Sequence, residues 1–137
     1  RQCLAIEVHQ RIRSKDVAST LSRLMALHGK PACVRSDNGP EFISHRLQAW
    51  ADTHQVELTF IQPGKPSQNG IIERLNGTLR RECLNLEWFE SLDKLNEQIQ
   101  DWWKVYNSIR PHSSIGYKTP DEFEKAKQNF YLNLVAA

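Results

Sequence analysis

The sequence predicts an α/β domain, because short apolar segments alternate with segments whose apolar residues recur at helical spacing. Residues 3–8, 32–36 and 57–61 are short, apolar and bounded by polar residues, which is typical of strands. Each is followed by a predicted helix. We expect a single domain over residues 1–137, a length sufficient to bury a hydrophobic core.

Two predicted helices flank the second strand. Ser14 is the predicted N-cap of the first helix, and His-Gly-Lys-Pro at 28–31 ends it with the usual Gly-then-Pro signal. The second strand ends at Asp37, and an Asn-Gly-Pro turn follows. Ser44 is predicted to cap the second helix, which we expect to end near His54.

A polar loop separates the third strand from the next helix. Residues 62–68 contain two prolines and one glycine, so they are predicted to form a flexible loop. A helix then opens at Asn69 or Gly70 and runs to about Leu84, with an apolar stripe on one side.

The C-terminal helices are predicted within residues 91–131. Ser91 caps the first of them, and residues 107–120 are expected to form a long basic loop. Pro120 lies at the first position of the last helix, which we expect to end near Tyr131.

The composition is that of an ordinary globular protein, with 39% apolar and 25% charged residues. No apolar stretch approaches the roughly 20 residues of a membrane span, and the first residues show no signal-peptide pattern. The three cysteines are widely spaced and odd in number, and none has zinc-binding spacing, so a reducing cytosol is the expected compartment. The net charge of +2 alone does not indicate nucleic-acid binding.

Asp37 and Glu73 are the candidate metal ligands. Asp37 follows a predicted strand, Glu73 lies near the start of a predicted helix, and 35 residues separate them. Each residue alone has an ordinary explanation, since Asp forms turns and Glu complements the positive end of a helix. Together, two carboxylates can hold divalent cations against phosphate oxygens, which points to phosphoryl transfer on nucleic acid.

The sequence around these two acids resembles a known family. Arg-Ser-Asp-Asn-Gly-Pro-Glu-Phe at 35–42 resembles the second-Asp motif of retroviral-type integrase cores, and residues 62–77 resemble their glutamate motif. Arg-Pro-His-Ser-Ser-Ile-Gly-Tyr-Lys-Thr-Pro at 110–120 resembles the tail of insertion-sequence transposases. The 35-residue spacing also matches, and the resemblance covers nearly the whole chain.

This resemblance implies a ribonuclease-H-like fold, with a mixed five-stranded sheet flanked by helices. It implies an Asp-Asp-Glu triad, two Mg²⁺ (or Mn²⁺) ions, and cleavage and transfer of DNA strands at transposon ends. Asp37 and Glu73 correspond to the second and third acids and would be both catalytic and metal-binding. The residues expected to contact DNA are Lys65, Gln68, Asn69, Arg74, Arg80 and Arg81. A homodimer or higher oligomer in the cytoplasm, associated with the nucleoid, is expected.

The family's first Asp lies on a strand that precedes the segment resembling residues 1–8. We therefore expect the first two strands and the first acid to be missing from this chain, an N-terminally incomplete core that is inactive by itself. The expected consequences are a longer intact protein, a fragment that completes the sheet, or pairing of the exposed strands with a second copy.

Two other functions remain open at this point. A truncated, non-catalytic remnant could bind DNA or dimerise with intact transposase, because one of three acids is missing. A ribonuclease-H-like nuclease unrelated to transposition is the other alternative, against which the glutamate loop and the 106–120 tail argue. Whether the chain itself is an enzyme stays undecided by the sequence.

Overall fold

The computed structural model describes residues 2–62, 64, 70–86 and 88–135, with side chains described as far as Gln128. Five α-helices and two strands lie in these ranges. In chain order the elements are α1 (Ser14–His28), β1 (Cys33–Ser36), α2 (His45–His54), β2 (Glu57–Phe60), α3 (Gly70–Leu79), a π-helical turn (Arg80–Leu84), α4 (Leu92–Ser108), a 3₁₀ turn (Ser113–Ile115) and α5 (Pro120–Val135). The predicted α/β class is confirmed. No helix in the described ranges has the length and hydrophobicity needed to cross a membrane.

The described chain forms two compact units, one of residues 9–78 and one that combines residues 1–8 with 79–137. In the first unit, β1 and β2 pair in parallel, and α2 lies in the connection between them. Cys33 is opposite Glu57 and Ser36 is opposite Phe60. The strands therefore end together, and Asp37 and Ile61 follow at the same edge of the sheet.

The core of the 9–78 unit lies between α2, α1 and the sheet. Leu47, Trp50, Ala51 and Val56 are buried, and apolar residues of α1 such as Val17 and Leu21 pack against them. The Trp50 indole N–H donates to Ser22 Oγ at 2.8 Å, so the buried ring keeps a polar partner. This packing holds α2 against α1 and the two strands.

The predicted N-caps are confirmed at Ser44 and shifted at α1. The Ser44 hydroxyl accepts the backbone N–H of Leu47 at 3.2 Å. At α1 the N-cap is Arg13 instead of Ser14, because the Asp16 carboxylate accepts the Arg13 N–H at 2.9 Å and so closes the first turn one residue earlier.

The second unit is held together by α4, α5, the π-helical turn and the N-terminal segment. Its core contains the buried residues Leu79, Cys83 and Ile99, against which Ile6 and Trp102 pack. The Ser91 hydroxyl caps α4 by accepting the Lys94 N–H at 3.2 Å, as predicted. Pro120 begins α5, also as predicted, and α5 extends beyond Tyr131 to Val135.

The predicted strand at residues 3–8 is wrong, because that segment has no regular secondary structure. A strand requires a neighbouring strand, and the backbone of Cys3 bonds to side chains of α4 instead. Its N–H donates to Asn107 Oδ1 at 3.0 Å, and its C=O accepts from Asn107 Nδ2 at 2.8 Å and from Trp103 Nε1 at 2.6 Å. The described sheet consequently has two strands, fewer than the five that the resemblance implied.

The predicted loop at 107–120 is also more ordered than expected. Helix α4 continues to Ser108, and an antiparallel bridge joins His112 to Lys118, with the His112 N–H donating to the Lys118 C=O at 3.0 Å. Gly116 and Tyr117 both have positive φ, 68° and 58°, and this lets the chain reverse within the bridge. Thr119 and Glu122 then form a reciprocal capping box at the start of α5.

Candidate metal and nucleic-acid site

Asp37 lies immediately beyond the carboxyl end of β1, where ligands bind in open α/β sheets. Its side chain is exposed, and Oδ1 accepts the backbone N–H of Gly39 at 3.1 Å. Its C=O accepts the Ser36 hydroxyl at 3.0 Å. The bond from Gly39 ties one carboxylate oxygen to the turn, and the side chain stays accessible to solvent.

Asn38 connects this turn to the neighbouring strand. Its Nδ2 donates to the C=O of Ile61 at 3.0 Å, across 23 positions of sequence. The N–H of Ile61 in turn donates to the C=O of Ser36 at 3.0 Å. Sequence reasoning treated Asn38 only as a turn residue; its amide in fact extends the pairing of β1 and β2 by one bond.

A second carboxylate lies in the same turn. A Cβ placed on Gly39 would lie 2.8 Å from Glu41 Oε1, so the Glu41 carboxylate covers the face of this glycine. The N–H of the same glycine is bonded to Asp37. A larger residue at position 39 would therefore have to displace the Glu41 side chain, and no positive φ favours glycine at this position.

Glu73 lies in the first turn of α3 and is exposed. The predicted helix from about residue 70 is confirmed, with Gly70 at its first position and a π-helical turn completing it to Leu84. Glu73 and Asp37 belong to the same compact unit. The predicted loop at 62–68 falls mostly outside the described residues, as do the predicted DNA-contacting residues Lys65, Gln68 and Asn69.

The described part of the chain contains no group of three or more His, Cys, Asp or Glu side chains arranged to hold a metal ion. The donor set of Asp37 and Glu73 consists of carboxylate oxygens, the ligands that Mg²⁺ prefers. The donor chemistry therefore fits a divalent cation. Two carboxylates alone leave most of an octahedral shell to water, so binding by these two is expected to be weak.

Three of the predicted DNA-contacting arginines are described, and all three are exposed. Arg74 is in α3, one position after Glu73. Arg80 and Arg81 are in the π-helical turn, which belongs to the other compact unit. π-Helical turns are rare and occur frequently at functional sites.

Sequence reasoning missed a polar cluster around this turn. Glu82, next to Arg81, accepts hydrogen bonds from the Arg110 guanidinium and, at 3.1 Å, from the Trp102 indole N–H. The hydrogen bond from Arg110 is the main reason why the pKa of Glu82 lies below its usual value. Arg110 was predicted to be part of a basic loop; in this pair its charge is instead balanced by Glu82. No local sequence pattern links positions 28 apart.

Comparison with known proteins identifies the family. Two family models, both described as "Integrase core domain", match this chain, one over residues 1–66 and the other over residues 54–120. An insertion element IS476 protein of 39.2 kDa from Xanthomonas euvesicatoria is 44% identical over 123 residues, which are 90% of this chain and 36% of that protein. The transposase of insertion sequence IS904 from Lactococcus lactis is 31% identical over 100 residues, 72% of this chain and 40% of that one.

A solved structure agrees on the fold. The catalytic core domain of BIV integrase superposes with a TM-score of 0.66 at 22% identity, over 91% of this chain and 80% of that one. These findings show that the chain belongs to the integrase core domain family, and proteins of insertion elements are among its relatives. The chain spans less than half the length of the two insertion-element relatives.

Proposed function

We propose that this chain supplies part of the catalytic core for metal-dependent cleavage and transfer of DNA strands at transposon ends. The observation that carries the proposal is the placement of Asp37 at the carboxyl end of β1 and of Glu73 in the first turn of α3, within one compact unit of an integrase core. The integrase core family is metal-dependent, and both side chains are exposed oxygen donors.

The proposed role of the two acids is to hold Mg²⁺ or Mn²⁺. Ions held there would supply Lewis-acid activation of the attacking water or DNA 3′-hydroxyl and stabilisation of the leaving oxygen. Asp37 would bind from the strand edge, with its orientation set by the Gly39 N–H. Glu73 would bind from the helix, whose first turn positions its side chain. The contribution of the protein is positioning and charge neutralisation.

We further propose that these 137 residues alone do not cleave DNA. The resemblance implies three acids, and two of them correspond to residues of this chain. The two carboxylates alone leave most of an octahedral shell to water, which supports the same proposal. A second candidate function is that of a non-catalytic copy that binds DNA or dimerises with intact transposase, and the exposed arginines Arg74, Arg80 and Arg81 favour its DNA-binding part.

The proposed DNA contacts are made by Arg74, Arg80 and Arg81, together with Lys65, Gln68 and Asn69. Exposed arginines suit phosphate because the guanidinium offers several donors in a planar fork. Replacing Arg80 by Ala is expected to weaken binding uniformly across sequences and to lower the salt slope by about one. Lys125→Ala in α5 is the control, and fluorescence anisotropy at several salt concentrations is the measurement.

The proposed setting is the cytoplasm, with the protein on nucleoid DNA as a dimer or larger oligomer.

The test of the proposed function is DNA cleavage by the product of the full reading frame, with Mg²⁺ or Mn²⁺ and duplexes that carry the ends of its own element. Asp37→Asn and Glu73→Gln should each lower the rate at least about 100-fold, because metal ions contribute several kcal/mol and about 1.4 kcal/mol is tenfold. Asp52→Asn on α2 is the matched control. A full-length protein with all its acids that cleaves no DNA end would refute the proposal.

A further inference from the structure

Asp37 is bracketed by two hydrogen bonds to one residue. Ser36, directly before it, accepts the Ile61 N–H through its C=O at 3.0 Å. Asn38, directly after it, donates from its side-chain amide to the Ile61 C=O at 3.0 Å. Both polar backbone groups of Ile61 are therefore bonded to the two neighbours of Asp37.

The side chain of Asn38 is needed because the backbone ladder ends here. The last paired residues are Ser36 and Phe60, and the chain turns away at Gly39, whose C=O accepts the N–H groups of Phe42 and Ile43. The Asn38 amide provides the next bond between the strands in place of a backbone group. A third bond, from the Gly39 N–H to Asp37 Oδ1, then orients the carboxylate itself.

Asparagine is common in turns, where its side chain bonds to nearby backbone groups. The amide of Asn38 instead reaches the adjacent strand, a contact that the turn does not require. The partner is a carbonyl oxygen, so the side chain at position 38 must be a donor. An ionised aspartate at this position would only accept hydrogen bonds.

Ile61 is the first residue after β2, on the connection that leads to α3 and Glu73. We infer that Asn38 is a positioning residue, which holds Asp37 in register with the strand leading to Glu73 and so fixes the geometry in which the two acids meet a divalent cation. This inference rests on the proposed function. Placement matters because a displacement of about 1 Å in a reacting group can cost about 100-fold in rate.

The experiment uses the product of the full reading frame and measures kcat, the KM for element-end DNA and the Mg²⁺ concentration for half-maximal rate. Asn38→Ser keeps a turn-forming residue but is too short to reach Ile61, and Asn38→Ala is the second variant. Asn96→Ala is the matched control, because Asn96 is exposed and its amide accepts a bond from Gln100, four positions away on the same helix. Urea unfolding of each variant gives the folded fraction.

We expect Asn38→Ser and Asn38→Ala to lower kcat of the folded protein about 10- to 100-fold and to raise the Mg²⁺ requirement, as supporting residues of metal ligands do. The KM for DNA should stay within about twofold of wild type, and Asn96→Ala should match wild type throughout. A purely structural role would lower stability and leave kcat of the folded fraction and the Mg²⁺ requirement unchanged.

Unchanged kcat and Mg²⁺ requirement in both Asn38 variants, with cleavage abolished by Asp37→Asn, would overturn the inference and leave the proposed function standing. Loss of stability alone would overturn it in the same way. Cleavage that is absent in wild type, or insensitive to Asp37→Asn, would overturn the proposed function and this inference with it.

Discussion

Replacing Asn107 by Ala tests how the N-terminal segment is held in the 1–8 and 79–137 unit. Asn107 and Cys3 are 4% and 5% exposed, so neither can exchange its bonds for water. The substitution leaves the Cys3 N–H without its partner, at a cost of about 1–3 kcal/mol. The Cys3 C=O loses one bond, worth about 1 kcal/mol, and keeps the one from Trp103. We therefore expect Asn107→Ala to destabilise the protein by about 2–4 kcal/mol.

The assay is urea unfolding followed by tryptophan fluorescence and circular dichroism. Asn96→Ala on the exposed side of α4 is the control and should change the unfolding free energy by less than about 0.5 kcal/mol. Asn107→Asp should also destabilise, because it removes the donor and places a charge in a buried position. An Asn107→Ala protein as stable as the Asn96→Ala control would refute the view that this amide takes the place of a neighbouring strand.

Three further predictions concern the two units separately. Gly39→Ala should lower the free energy of unfolding by less than about 1 kcal/mol, because the clash is with the end of the flexible Glu41 side chain. In a protein that already carries Glu41→Ala, the same substitution should cause no loss of stability. Urea unfolding that shows an equal loss with and without Glu41→Ala would contradict this prediction. Glu82→Gln should lower the free energy of unfolding by up to about 1 kcal/mol at pH 7, because the pair with Arg110 is partly exposed. Since the pKa of Glu82 is lowered in the folded state, the stability that the pair contributes is present above the unfolded-state pKa and is lost as the pH falls through the folded-state pKa. Equal dependence of stability on pH for wild type and Glu82→Gln below about pH 5 would contradict this prediction. Leu47→Ala should cost about 2–5 kcal/mol, because this side chain is 1% exposed in the α2 core, and thermal unfolding within a degree of wild type would refute that burial.

Helices and their starts were predictable because their signals are local. Ser44, Ser91 and Pro120 each precede or begin a helix where expected, since a cap involves only residues within one turn. The carboxyl end of β1 at Asp37 was also predictable from a short apolar run followed by a turn.

Long-range contacts account for what the sequence did not reveal. Residues 3–8 have the composition of a strand, but strand formation depends on a partner, and Cys3 bonds to Asn107, 104 positions away. The amide of Asn38 and the pair of Glu82 with Arg110 likewise join residues 23 and 28 positions apart. Composition and spacing carry no signal for such contacts, so the supports of the candidate site became visible only in the fold.

In the proposed function, Asp37 and Glu73 bind divalent cations at one shared site. The most direct measurement is paramagnetic broadening by Mn²⁺ in the NMR spectrum of the protein expressed at the full length of its reading frame. We predict that amide signals beside Asp37 and Glu73 broaden together at substoichiometric Mn²⁺, and that Asp37→Asn abolishes the broadening at both. Broadening confined to one of the two segments, or unaffected by Asp37→Asn, would contradict a shared metal site.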